Sequence, residues 1–321
     1  DGVPVTIKDI VAVEGVPTGE GSKVSSEVPA TADSPPVARM REAGAVLLAT
    51  TTTSEFGWKG ITDTPRHGVT RNPWNLDHTP GGSSGGAAAS LAAGVGAVAH
   101  GSDGGGSIRI PSSYCGLVGL KATFGRVPQA PVGSPFVSLV SNGALTRSVE
   151  DSALLLNVLS QPDLRDWHAV PHDSRDWRVG LNDGLVGLRL GYSEEFGGGR
   201  PHPEVAEACR RVVDVLADNG IEVVELGPVI EPLRPKLEGY WKAGFASRLN
   251  AIPSDRWDEL DPGFRQLAQE GMGFTVHDMA EATAVRADLV ERMRRLHTEY
   301  DLLLTPTMPT VAPPTSTVYH S

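Results

Sequence analysis

The sequence predicts an α/β protein, a sheet covered by helices on both faces, and three observations carry that prediction. Strand-like and helix-like segments alternate along the chain, the order that layered α/β folds require. One stretch, "GLRLGYS" at 187–193 followed by "HPEVAEACRRVVDVLADNG" and "IEVVEL", reads as a complete strand–helix–strand unit. Of the 321 residues 40% are hydrophobic and 21% charged, a balance that leaves out disorder and fibres and supplies a sizeable core.

The elements follow in chain order. In "ARMREAGAVLLAT", 38–50, the end of a helix meets a glycine stop at Gly44 and then a buried strand over 45–49. Small residues from 84 to 94 predict a tightly packed helix that emerges from "GGSSGG", and "GAVAHG" then reads as a short buried strand. In "TRSVEDSALLLNVLSQP" Ser148 stands three residues before Asp151 and ahead of an apolar run, which predicts a capped helix stopped by Pro162. Within the strand–helix–strand unit, Val205, Cys209, Val212 and Leu216 fall on one helix face and Gly220 ends it. "MAEATAVRADLVERMRRLHTEY" is a further helix feeding a strand in "DLLLTP", and "TPTMPTVAPP" continues neither, because proline has no N–H to donate. No internal repeat or clear linker is visible, so a single domain over 1–321 is expected, with 161–184 its most loop-like stretch.

Charge and composition exclude several functions. A net charge of −11 with no Lys/Arg cluster argues against a nucleic-acid surface, since phosphates would be repelled. Cys115 and Cys209 have neither metal-like spacing nor a disulfide framework, which fits a reducing, cytoplasmic setting at least as well as secretion. The weakly polar run 87–99 is short for a membrane span. His168 and His172 have a ligand-like separation, but Pro171 lies between them and no Cys or carboxylate set joins them, so loop histidines are expected. HExxH, Walker A and GxGxxG patterns are absent.

Two serine–glycine clusters carry the candidate chemistry. The first, residues 82–86, satisfies GxSxG with Ser84 as nucleophile, but such an elbow needs a strand directly before it and "RNPWNLDHTP" precedes this one. The second, "VAHGSDGGGS", runs from a predicted strand into consecutive glycines, so the N–H groups of Gly104, Gly105, Gly106 and Ser107 can converge on an oxyanion. A phosphate nest or a plain tight turn is the competing assignment. A serine nucleophile needs a base, and no histidine has an evident relation to Ser107. Lys8 in "GVPVTIKDI" is the best lysine, because the apolar approach carries it inward and desolvation would make it neutral. Alone it would more often be a surface lysine beside Asp9.

Taken in order, "GVPVTIKD", "PGGSSGGAAASLAAG" and "GSDGGGSIRIPSSYCGLVGLKATFGRVP" resemble the signature of the amidase signature family of serine hydrolases. Lys8 and Ser83 are 75 residues apart and Ser83 and Ser107 are 24 apart, within that family's pattern. The resemblance extends through "SEFGWKGITDTPRHGVTRNPWN", "GALTRSVEDSALLLNVL" and "DLLLTPTMPTVAPP", nearly the whole chain. It implies the amidase signature fold, with a mixed central sheet covered by helices on both faces. It implies Ser107 as the acylated nucleophile, Ser83 as bridging serine after a cis peptide bond, and Lys8 as base. Gly104, Gly105 and Gly106 would form the oxyanion loop, Asp103 and Arg109 its supporting charges, and Ser84 a hydrogen-bonding neighbour. Cys115 would be buried, and "EFGWKG" and the 125–145 loop are candidates for lining the acyl pocket.

The implied activity is hydrolysis of a small-molecule carboxylic amide to the acid and ammonia or amine, without metal or organic cofactor and away from membranes; a homodimer is left open. The same core also resembles the catalytic-type component of a glutamine-dependent tRNA amidotransferase, which would deliver ammonia to a partner and so meet nucleic acid. A third alternative is an inactive fragment that only binds. The family normally has a helical segment before the lysine strand and more sheet and helices after "TPTMPT", so both ends read as incomplete.

Overall fold

The computed structural model describes residues 2–130, 136, 138–231 and 234–317, and only the backbone of 234–237. The chain groups into two compact units, one made of Asp1–Val179, Gly244–Glu270 and Ala312–Ser321, the other of Gly180–Ala243 and Gly271–Val311. In chain order the first unit begins with β1 (Pro4–Lys8), α1 (Pro35–Glu42), β2 (Val46–Thr51) and the short pair β3 (Asp63–Thr64) and β4 (Gly68–Val69). It continues with α2 (Gly85–Ala92), β5 (Val98–Asp103), α3 (Arg109–Cys115), β6 (Val118–Lys121), β7 (Ser141–Thr146) and α4 (Val149–Leu159). Then follow β8 (Arg189–Ser193), α5 (Pro203–Asp218), β9 (Glu222–Leu226), α6 (Arg234–Asn250), α7 (Pro262–Gly271), α8 (Val276–Glu299) and β10 (Leu302–Leu304).

The first unit holds a five-stranded mixed sheet in the order β2-β1-β5-β7-β6. β1 runs parallel to β2 and β5, while β7 is antiparallel to β5 and β6. Strand alternation sends Val5, Ile7, Val98 and Ala144 to one face, where they pack with Val37 and Met40 of α1 and Leu155 and Leu159 of α4. Ala99 and Leu145 face the other way, against Ala87, Ala88 and Leu91 of α2 and Cys115 of α3. Helices therefore cover both faces, as the alternating pattern requires. α2 lies close to the chain before β3 because its residues are small: a Cβ at Gly86 would stand 2.4 Å from the backbone nitrogen of Thr52. Ser148 caps α4, its hydroxyl accepting the Asp151 N–H at 3.1 Å.

The second unit holds the parallel sheet β10-β8-β9, so the strand–helix–strand unit read from the sequence is present. Its helix packs through the expected Cys209 and Leu216 but not through Val212. Val212 is 47% exposed, and Val213, at 8%, packs with Leu190, Tyr192 and Ile221. The buried stripe thus steps by i, i+4 through Cys209 and Val213 before reaching Leu216, rather than through Val212.

One further expectation is corrected. The strand expected to be buried over 45–49 is β2, and Val46 and Leu48 are each 48% exposed. It pairs only with β1, at the edge of the sheet, so its apolar residues have partners on one side alone. The stretch 161–184 contains neither helix nor strand. Among the described residues no helix is long and apolar enough to cross a membrane.

Candidate active site

Lys8 ends β1, and Ser102 and Asp103 end the neighbouring parallel strand β5, so the carboxyl ends of two central strands converge on one spot. Lys8 has no exposed surface. Its Nζ lies 2.7 Å from Ser83 Oγ, 3.0 Å from Ser102 Oγ and 3.4 Å from the Ser102 carbonyl oxygen. Burial draws its pKa down to about 7, against the opposing pull of the Asp103 charge. Protonated, the amine donates to these oxygens; neutral, its lone pair is able to accept from the Ser83 hydroxyl.

Ser83 and Ser84 lead into α2, and the Gly82–Ser83 peptide bond is cis, as the resemblance implies. Only glycine fits at 82, where a Cβ would stand 2.7 Å from the backbone of Ile61. Ser84 is fully buried, and its hydroxyl donates to the Ser102 carbonyl at 3.3 Å. Its N–H donates to the Ser107 carbonyl at 3.2 Å, which ties the two glycine clusters backbone to backbone. Turns rather than a strand lead into Ser84, so the geometry of a nucleophile elbow is missing there.

Asp103 shapes the second cluster. Its buried carboxylate accepts the N–H groups of Gly106 at 2.8 Å, Ile108 at 3.1 Å and Arg109 at 3.3 Å. It also takes the Arg109 guanidinium through Nε at 2.9 Å and Nη2 at 2.8 Å. Burial by itself would raise this carboxyl, but the Arg109 hydrogen bonds and charge and the backbone donors outweigh it and hold the pKa below the usual carboxylate range. Gly106 is thereby corrected as an oxyanion donor. With φ at +114° its N–H turns back onto Asp103 and is already engaged. Gly105 is exposed and faces open space, since a Cβ there would meet nothing within 4 Å. Ser107 is 8% exposed, two residues ahead of α3.

Two neighbours were not singled out from the sequence. Ser102, beside Lys8 Nζ, becomes visible only when β1 and β5 are paired, Ile7 opposite His100. Gly57, with φ at +75°, backs the serine: a Cβ there would lie 3.3 Å from Ser83 Oγ and 3.2 Å from Ile10 Cδ1. The preceding residue, Phe56, lines a cleft of about 490 Å³ together with Ile10, Glu20, Val24, Arg248 and Ile252, a lining that does not include Lys8, Ser83 or Ser107. Of the 125–145 stretch, 131–135 and 137 lie outside the described residues, Val127 packs in the core, and 141–145 belong to β7. Cys115 is fully buried and burial pushes its thiol up to about 12, which leaves it inert. His168 packs against the rings of Trp167 and Phe124. Among the described residues no group of three or more His, Cys, Asp or Glu side chains is placed to hold a metal.

A mixed sheet with a buried lysine at one strand end, bonded to a serine at a helix start, beside an Asp-braced glycine loop that carries a further serine, defines the chain as an α/β protein with its polar centre at the strand ends. The chain belongs to the Amidase family, whose model matches residues 1–320. It is 36% identical to an acylamidase of Rhodococcus erythropolis over 96% of this chain and 65% of that protein. It is 41% identical to a glutamyl-tRNA(Gln) amidotransferase component of Syntrophobacter fumaroxidans over 70% of this chain and 46% of that protein. The fold matches that of a bacterial aryl acylamidase of the amidase signature enzymes with a TM-score of 0.91 and 27% identity, over 98% of this chain and 68% of that one. The chain thus spans about two-thirds of the acylamidase and under half of the amidotransferase component.

Proposed function

We propose that the protein hydrolyses a small-molecule carboxylic amide through an acyl-enzyme on Ser107, with Ser83 as proton relay and Lys8 as base. The observation that carries this is the 2.7 Å approach of Lys8 Nζ to Ser83 Oγ, made by a lysine that burial brings to a pKa of about 7. An ordinary lysine would be protonated at neutral pH and would have no lone pair to offer.

Neutral Lys8 takes the Ser83 hydroxyl proton as Ser83 takes that of Ser107, and Ser107 Oγ attacks the amide carbonyl carbon. The carbonyl π pair moves onto oxygen, where the N–H groups of Gly104, Gly105 and Ser107 receive it; one such donor is worth about 3 kcal/mol in comparable sites. The tetrahedral intermediate collapses by breaking the C–N bond, and the proton held by Lys8 returns through Ser83 to the departing nitrogen. Water then attacks the Ser107 ester and releases the acid. Asp103 and Arg109 keep the glycine loop in shape throughout, and Ser84 holds the two clusters together.

The names of the relatives support amide substrates, and the family match over residues 1–320 supports reading the chain as one amidase domain. Two free cysteines fit a reducing cytoplasm. The 41% identity to an amidotransferase component favours a second reading, ammonia production from glutamine for a partner protein. One experiment addresses both: a serine-directed sulfonyl fluoride with the adduct mapped by mass spectrometry, beside Ser107→Ala and Lys8→Ala assayed on a panel of simple amides that includes glutamine. The adduct is expected on Ser107, and each variant is expected to lose about 10³-fold or more in kcat. An adduct on Ser84, or activity surviving Ser107→Ala, overturns the relay. Hydrolysis of glutamine alone, and only in the presence of a partner protein, favours the second reading.

A further inference from the structure

The relay leaves the fully buried acid Glu55 unused. Glu55 has no exposed surface, and both of its carboxyl oxygens are occupied. Ser22 Oγ donates to Oε1 at 2.6 Å, and the backbone N–H of Asp261 donates to Oε2 at 2.6 Å. One side chain thus joins three segments that are 33 and 206 residues apart in sequence.

What it joins is unusual backbone. Glu20 and Phe56, neither of them glycine, both have φ at +50°. The Phe56 N–H donates to the Glu20 carbonyl at 2.8 Å, so the two left-handed residues hold each other. Such conformations persist where the surroundings over-determine them, and they gather at functional sites. Within the same turn Gly57 N–H bonds the Ser54 carbonyl at 2.8 Å and Trp58 N–H bonds the Glu55 carbonyl at 3.1 Å. Gly57 is the residue that backs Ser83 Oγ. The acid therefore anchors the turn whose far end is the wall of the relay serine.

We propose that Glu55 is a positioning residue, whose side chain clips the Phe56–Gly57 turn to Ser22 and Asp261 and so keeps Ser83 Oγ in line with Lys8. This rests on the assignment of Ser83 as relay. The clip depends on reach more than on charge. Burial pushes the Glu55 pKa up to about 7, with Asp261 adding to the rise and Ser22, the Asp261 N–H and Lys59 opposing it. Lys59 is itself held by Asp261 at 2.8 Å and by Asp63. Near neutral pH the acid is thus shared between two forms, and a proton on Oε1 keeps both contacts: the acid O–H donates to Ser22 Oγ while Oε2 still accepts from Asp261. An amide of the same length does the same, and a carboxylate one methylene shorter does not.

The test compares Glu55→Gln and Glu55→Asp for kcat, KM, melting temperature and the rate at which a sulfonyl fluoride modifies Ser107. Glu55→Gln is expected to keep kcat within about threefold. Glu55→Asp is expected to lower kcat and the labelling rate by about tenfold or more with KM within about threefold, since small misplacements of reacting groups act on the chemical step. Should Glu55→Asp fail to fold, Ser22→Ala, which deletes one hydroxyl of the clip, is expected to move the same two rates in the same direction. A folded Glu55→Asp or Ser22→Ala with unchanged kcat overturns the proposal, as does a Glu55→Gln variant impaired as severely as Glu55→Asp. Activity retained by Ser107→Ala or Lys8→Ala would instead sink the relay on which it rests.

Discussion

At Lys8 strand geometry and charge pull in opposite directions. "VTIK" alternates so that Val5 and Ile7 enter the core, and the same backbone carries an amine to a place with no exposed surface. Burial favours the neutral form, and the nearest opposing influence, Asp103, is already committed to Arg109 and three backbone N–H groups. The rate should follow the neutral fraction of this amine. A pH profile of kcat/KM from 5 to 9 is expected to rise tenfold per unit on its acid side and to level off above about 7, where Lys8 has lost its proton. Glu55 titrates in the same range, yet its clip survives protonation, so Glu55→Gln should leave that acid limb in place. A profile that is flat between 5.5 and 8.5 would remove Lys8 as the base.

Small residues position the two serine clusters by allowing close approach. α2 must lie near Thr52, and at Gly86 a Cβ would stand 2.4 Å from the Thr52 nitrogen and 2.6 Å from its carbonyl oxygen, backbone atoms that cannot turn aside. Gly86→Ala is therefore expected to destabilise the fold by about 1–3 kcal/mol and to lower kcat, because α2 carries Ser83 and Ser84 at its start. Gly105→Ala provides the contrast in thermal melts: nothing lies within 4 Å of its new methyl, so stability should change by less than about 0.5 kcal/mol. Equal melting shifts for the two would show that α2 tolerates displacement. The small-residue helix, the buried strand after it and the Ser148 cap were legible because each is a local pattern. The exposure of β2 and the exchange of Val212 for Val213 were not, since both depend on which neighbours the sheet and helix find. Gly106 shows the same limit within the site: its glycine identity marks a loop, but only the backbone direction at φ +114° shows that Asp103 has taken its N–H.

The pairing of Lys8 with Ser83, 2.7 Å apart in the fold, was legible from the sequence pattern, whereas Glu55 was not, because its partners at 22 and 261 are brought together only by the folded chain. These buried groups also set how stability depends on pH. His100, whose pKa burial lowers to about 4, destabilises progressively as pH falls below 6.5, while Glu55 stabilises at low pH and loses that contribution as pH rises through about 7. The two oppose each other between about 4.5 and 6.5. Lys8 acts above them. Its pKa is about 7 when folded and 10.5 as a free side chain, so over that range the unfolded chain binds more protons and stability rises with pH. Its penalty is complete below about 7 and gone above 10.5. Lys8→Met, which fills similar volume without an amine, is accordingly expected to be inactive yet more stable than the parent at pH 7, by about 1 kcal/mol or more, or about 2 °C or more in melting temperature. That advantage should shrink steadily as melts are repeated up to pH 9. Cys115 and Tyr192, both pushed up to about 12, are common to the two proteins and cancel in the difference. A gap between the two melting curves that stays constant from pH 7 to 9 would mean that Lys8 keeps its proton in the folded protein, and the proposed base would have no lone pair to offer.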